Sequence, residues 1–214
     1  MKRSDVINQI INKYNYVNPN YLEIGVYTGS TFCEIMSTNK DGVDPEHYCA
    51  SDYVNYKMTS NEFFDNHVNK KYDIIFIDGL HTAYQVSVDL YNSIKNLNNG
   101  GFIVLDDVYP HSENEQKSLN IRFGVPQTGD VWKGVYHIID YLTEICEDIY
   151  FIKETERGNL VLKIKDTNKN ISIDETIPTT NYDGRHPCEW DKYNYNTDFS
   201  NYMKKMETFK KSII

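Results

Sequence analysis

Residues 71–110 read KYDIIFIDGLHTAYQVSVDLYNSIKNLNNGGFIVLDDVYP, and two apolar runs within them, Tyr72–Ile77 and Gly101–Leu105, each end abruptly in acid. Asp78 follows the first run; Asp106 and Asp107 follow the second. Short β-branched and aromatic runs bounded by turn residues read as strands buried on both faces. The segment between them has helical length and stops at Asn98-Asn99-Gly100-Gly101. A strand–helix–strand crossover makes the strands parallel and sets their carboxyl ends on one edge of the sheet. Asp78, Asp106 and Asp107 are therefore expected together, where open α/β sheets bind ligands.

Outward from this unit the pattern repeats. An apolar stripe, Val6, Ile7, Ile10 and Ile11, predicts a helix over Ser4–Tyr14. Strands are expected at Tyr21–Val26 and Lys40–Asp44, with an ill-defined third at Tyr48–Asp52 or Asn55–Met58. Thr59-Ser60-Asn61-Glu62 reads as a capping box opening a helix. After a long polar loop over 108–130, a helix is expected at Val131–Ile145 and a hairpin at Asp148–Lys153 and Asn159–Ile164. The fold class is α/β: a three-layer, Rossmann-like, mostly parallel seven-stranded sheet with one antiparallel strand near the C-terminal end. Residues 1–20 read as a helical segment, 21–165 as the main domain and 166–214 as an appendage packed on it.

Composition narrows the partners. Asp plus Glu number 31 against 22 Lys plus Arg, a net charge of −9, so no nucleic-acid partner is expected. Lys204, Lys205, Lys210 and Lys211 read as a solvated helix face. The 4 cysteines are scattered, and His47 with Cys49 or His186 with Cys188 lacks zinc-knuckle spacing, so reduced thiols without zinc are expected. Neither a signal peptide nor a membrane span is apparent, and a cytoplasmic location is the expectation.

The turn after the first strand is Glu23-Ile24-Gly25-Val26-Tyr27-Thr28-Gly29. Its glycines let backbone approach a ligand, but G-x-x-x-G is not the pyrophosphate-binding spacing. Asp44 ends the second strand at a distance suited to the hydroxyls of a ribose. The pattern suits a nucleoside without a diphosphate.

Four segments in order, Tyr21–Thr31 (YLEIGVYTGST), Gly42–Pro45 (GVDP), Tyr72–Asp89 and Gly100–Pro110 (GGFIVLDDVYP), resemble class I S-adenosylmethionine-dependent methyltransferases. Within that class the chain is similar to the metal-dependent O-methyltransferases of small molecules such as antibiotic sugars. The resemblance implies S-adenosylmethionine as cofactor: Gly25 and Gly29 face its methionine part, Glu23 steadies the turn, Asp44 holds the ribose and Ser60 lies on the adenine side. It also implies a base at His81 and an acceptor that is a small hydroxyl compound, a sugar or glycoside among the candidates.

Three carboxylates crowded at one edge repel unless a cation sits among them, and oxygen ligands suit Mg²⁺. Asp78, Asp106 and Asp107 are the expected metal ligands. His81, three residues after Asp78, is the expected general base, with Asp78 beside it and His111 as a weaker alternative. GDVWK over 129–133 also resembles the family and suggests a role near the substrate, against a plain cap and core reading of Asp130 and Trp132. The tail aromatics Tyr182, Trp190, Tyr193, Tyr195 and Phe199 read as packing residues, with a sugar-stacking wall or a dimer contact as alternatives. Two other readings stay open: a nucleotide-dependent oxidoreductase and a non-catalytic cofactor-binding scaffold. Oligomeric state is open too, a homo-oligomer included.

Overall fold

A computed structural model of the chain describes residues 1–45, 54–116, 128–165 and 193–213. The third-strand alternative at Tyr48–Asp52, the His47/Cys49 and His186/Cys188 pairs, Tyr182 and Trp190 lie outside the described residues.

The elements are α1 (Arg3–Lys13), β1 (Tyr21–Ile24), α2 (Ser30–Glu34), β2 (Lys40–Val43), α3 (Ser60–Asn66), β3 (Tyr72–Ile77) and α4 (Ala83–Asn96). They continue with β4 (Leu97–Leu105), α5 (Val131–Ile145), β5 (Cys146–Ile152), β6 (Asn159–Ile164) and α6 (Asp198–Met206). Among the described residues the sheet has 6 strands in the order β2-β1-β3-β4-β6-β5. β1 to β4 pair in parallel, while β6 runs antiparallel to both β4 and β5, so β6 alone is reversed.

Seven strands were expected; of the two placements of the third, only Asn55–Met58 is among the described residues, and it lies at the edge beyond β2. There Tyr56 makes an isolated parallel bridge to Val43. Two backbone bonds, Tyr56 N to Gly42 O and Asp44 N to Tyr56 O, fasten it, and the Asn55 side chain takes the Gly42 amide at 2.9 Å. A side chain thus does the pairing that a further strand residue would do. A second departure is at Asn98–Gly101, expected as a break. These residues continue β4, through a register shift opposite Tyr72 and Ile74 and a left-handed Gly100 (φ 74).

Alternation along the strands sorts the core into two layers. Tyr21, Ile74, Phe76, Phe102, Val104 and Val161 meet Val6, Ile7, Ile10 and Ile11 of α1 on one face. Leu22, Ile24, Ile75, Ile77, Ile103, Leu105 and Leu162 meet α3, α4, α5 and α6 on the other. Both faces are covered, as the near-continuous apolar runs require. Because β1 is followed by β2 on one side and neighbours β3 on the other, the topological switch lies beyond the carboxyl ends of β1 and β3. No helix among the described residues is long and apolar enough to cross a membrane.

Candidate active site

A cavity of about 770 Å³ opens at that switch, bordered by Gly25, Tyr27, Asp44, Ser60, Asp78 and His81, with Glu23 at its floor. Gly25 is left-handed (φ 84), and a Cβ there would stand 1.9 Å from the Asp78 carbonyl oxygen. Only glycine lets the first turn close over the end of β3. Tyr27, a bulky residue at φ 46, carries strain in the same turn; its amide donates to Asp44 Oδ2 at 2.8 Å. That bond fixes the Asp44 carboxylate at the end of β2, facing the cavity. Gly29 is set back from the cavity: at φ 77 it caps α2 and its amide donates to the Val26 carbonyl.

Glu23 is buried beneath the turn and accepts the Tyr21 hydroxyl. Burial pushes its carboxyl up to about 8, and the Tyr21 bond pulls the other way. Ser60 opens α3 behind its Thr59 cap, and Gln85 of α4 reaches across to Ser60 Oγ (3.2 Å), Asn61 Oδ1 (3.0 Å) and Asp89 Oδ1 (2.9 Å). Burial raises Asp89 to about 6, against its bonds from Ser60 and Gln85. Gln85 and Asn61 border the cavity beside Ser60 and carry no motif by which the sequence could single them out.

The three expected aspartates do gather. β4 ends at Leu105, and Asp107 turns left-handed (φ 58), which frees two consecutive acids from the alternation of a strand. His81 Nε2 lies 3.1 Å from Asp107 Oδ2 and 3.3 Å from Asp78 Oδ1. The ligand atoms of Asp78, His81 and Asp107 lie within 4.8 Å of one another. Asp106 is held differently, by the Asn159 side-chain amide at 2.8 Å and by the Arg3 guanidinium through its Nε. Arg3 also donates from Nη1 to Asp78 Oδ2 at 3.0 Å. Burial drives both Asp106 and Asp107 upward; Asp78 adds to the rise in each, and Arg3 opposes it. For Asp107 the largest opposition is His81, and its carboxyl settles at about 6.

The His81 turn is anchored from behind by GDVWK. Gly129 (φ 56) packs so closely that a Cβ would stand 1.8 Å from the His81 carbonyl oxygen. Asp130 does not cap its own helix; its Oδ1 accepts the Ala83 amide at 2.7 Å and so caps α4. Trp132 is fully buried, its indole nitrogen donating to Gln116. Phe199 and Tyr195 pack on Trp132, with Phe199 also stacked on Tyr109, consistent with the packing reading of the tail. His111 donates its amide to Glu115 and rings with Tyr109, away from the Asp78–His81 contacts.

The profile of a family described as "Methyltransferase domain" matches residues 22–108. A search of curated protein sequences finds no match. Among solved structures, an O-methyltransferase from Bacillus cereus in complex with S-adenosylhomocysteine is similar at 14% identity and TM-score 0.51, covering 76% of this chain and 80% of that one. The O-methyltransferase TomG from Streptomyces achromogenes, involved in tomaymycin synthesis and bound to S-adenosylmethionine, is similar at 11% identity and TM-score 0.53, covering 77% and 80%. A methyltransferase from Podospora anserina, bound to S-adenosylhomocysteine, is similar at 12% identity and TM-score 0.51, covering 77% and 78%. Likeness at such identity shows the fold alone, an α/β Rossmann-like methyltransferase fold, and the matched profile spans less than half of the chain.

Proposed function

We propose that the chain is an O-methyltransferase that moves the methyl group of S-adenosylmethionine to a hydroxyl of a small molecule, assisted by a divalent cation of the Mg²⁺ type. The observation that carries this reading is the turn 78–81. It borders the nucleoside-sized cavity on one side and places His81 against two carboxylates on the other.

The cavity residues divide the cofactor between them. Asp44 suits the ribose hydroxyls as an acceptor, Ser60 and its neighbours the adenine end, and the Gly25 turn the methionine part. The donor set also fits a hard cation. Mg²⁺ is commonly held by one or two carboxylates with water and substrate completing its shell. Asp78 and Asp107 would hold it, with Asp106 at its back joined to Arg3. When bound, such an ion lowers the charge cost of turning an acceptor hydroxyl into a nucleophile. With the Asp78 and Asp107 oxygens turned to the ion, His81 Nε2 would be released from them to take the proton that the acceptor oxygen gives up as it bonds to the methyl carbon, while the carbon–sulfur bond breaks and S-adenosylhomocysteine leaves. The rest of the protein's contribution is to hold acceptor and methyl donor in line.

Two adjacent acceptor oxygens match an ion held by only two side chains, so a vicinal diol, as in a sugar or glycoside, is the proposed acceptor class. The test incubates the protein with S-adenosylmethionine, Mg²⁺ and a panel of sugars, glycosides and catechols, and reads products by mass spectrometry. A gain of one CH₂ that fades with EDTA and in His81→Ala is the expected result. No methylated product from any hydroxyl compound, with S-adenosylhomocysteine binding intact, would overturn the proposal.

A further inference from the structure

Arg3 is the one residue of α1 that reaches the acid site, and the motif reading of the sequence gives it no role. α1 is pinned where it stands: Lys2 and Ser4 both bond the Glu34 carboxylate, and Asn8 bonds the backbone of Glu34 and Met36. From the first turn of that helix the guanidinium bridges Asp78 Oδ2 and Asp106 Oδ2. The Asp106 side chain is 1% exposed and that of Asp78 13%, so this pair is far from a surface ion pair.

The contact divides the acids into two halves. One oxygen of Asp78 and one of Asp106 belong to Arg3, and the other oxygen of Asp106 belongs to Asn159. The other oxygen of Asp78 turns to His81 and Asp107. Three carboxylates carry three negative charges; one guanidinium leaves two, which a single divalent ion balances. A planar, permanently charged fork suits the bridging role, whereas a lysine would offer only a point charge.

We infer that Arg3 is a positioning residue, a resident cation that reserves Asp106, turns Asp78 toward Asp107 and weakens the site's hold on a divalent ion to what one ion's charge requires. This rests on the proposed ion site at Asp78 and Asp107.

The test is Mn²⁺ binding in the presence of S-adenosylhomocysteine, read from the loss of the free Mn²⁺ electron paramagnetic resonance signal, with circular dichroism as the check on folding. Removing the positive charge in Arg3→Met deepens the negative potential at the site, so Mn²⁺ should bind about tenfold tighter or more. Arg3→Lys restores the charge and should bring affinity back to within about threefold of wild type. A purely structural role would loosen ion binding in both variants. Unchanged or weaker binding by folded Arg3→Met, with wild-type binding present, overturns the assignment of Arg3 alone. Tighter binding that persists in Arg3→Met/Asp107→Asn overturns the ion site, and with it the Arg3 assignment that rests on it. Binding by neither wild type nor Arg3→Met overturns both.

Discussion

Gly129 lies far from the acid motifs in sequence, yet Gly129→Ala should disable the site more than it unfolds the protein. The new Cβ would stand 1.8 Å from the His81 carbonyl oxygen and 2.8 Å from the His81 Cβ. Real contacts of this kind stay beyond 3.0 Å, so the turn must retreat by about 1 Å or more. His81 sits 3.1 Å from Asp107 and 3.3 Å from Asp78, and such a retreat carries the ring out of reach of both. A misplacement of about 1 Å costs on the order of a hundredfold in turnover. The stability cost combines about 1–2 kcal/mol for a left-handed alanine at φ 56 with about 1–3 kcal/mol for overpacking. For a chain of this size that is a fall of about 4–20 °C in Tm. Gly100→Ala is the internal control: its φ is 74, but nothing lies within 4 Å of the added Cβ. It should pay the strain and keep full activity. The assay is methyl transfer to whichever hydroxyl compound the panel reveals, beside S-adenosylhomocysteine calorimetry and a melting curve. Folded Gly129→Ala with turnover within about twofold of wild type would refute the reasoning, as would an equal loss in Gly100→Ala.

Three further outcomes follow from the same geometry. Asp130→Ala leaves the Ala83 amide without its acceptor and should cost about 1–2 kcal/mol in a denaturant titration, with turnover falling more than cofactor affinity; Asp130→Asn should recover most of both. Glu23 rises from an ordinary 4.5 to about 8 on folding, so between those values the native chain holds a proton that the unfolded chain has released. Stability therefore falls as pH rises across that window, and Glu23→Gln should flatten the decline by about 1.4 kcal/mol per pH unit at most, read from melts at several pH values. Mg²⁺ at about a hundred times its dissociation constant should stabilise the wild type by about 2.7 kcal/mol and leave Asp107→Asn unmoved, which a melting curve with and without EDTA checks.

The layout of the sheet could be read from the sequence because apolar runs ending in acid and glycine are local signals. Asp78, Asp106 and Asp107 converge as the crossover topology requires, and the reversal of β6 follows from a short hairpin. What the sequence hid depends on contacts between distant segments. Arg3 reads as one more residue before an apolar stripe until α1 is laid across the sheet. Asn159 reads as the start of a strand, although its amide is what holds Asp106. Gly25 was expected to make room for a ligand, and its closest neighbour is the Asp78 carbonyl, so the turn demands glycine before any cofactor binds. Gly29 shares the motif but serves the cap of α2. The edge strand expected near Asn55–Met58 shrank to one bridge, because the Asn55 side chain replaces backbone pairing there and no pattern announces that exchange.

The most direct test of the whole account is a crystal structure of the protein grown with S-adenosylhomocysteine and Mn²⁺, with data collected at the manganese edge. The account predicts the nucleoside along Gly25, Asp44 and Ser60, and an anomalous peak at bonding distance from Asp78 and Asp107 with Arg3 still on Asp106. An empty cavity, or manganese bound away from Asp78 and Asp107, would contradict it.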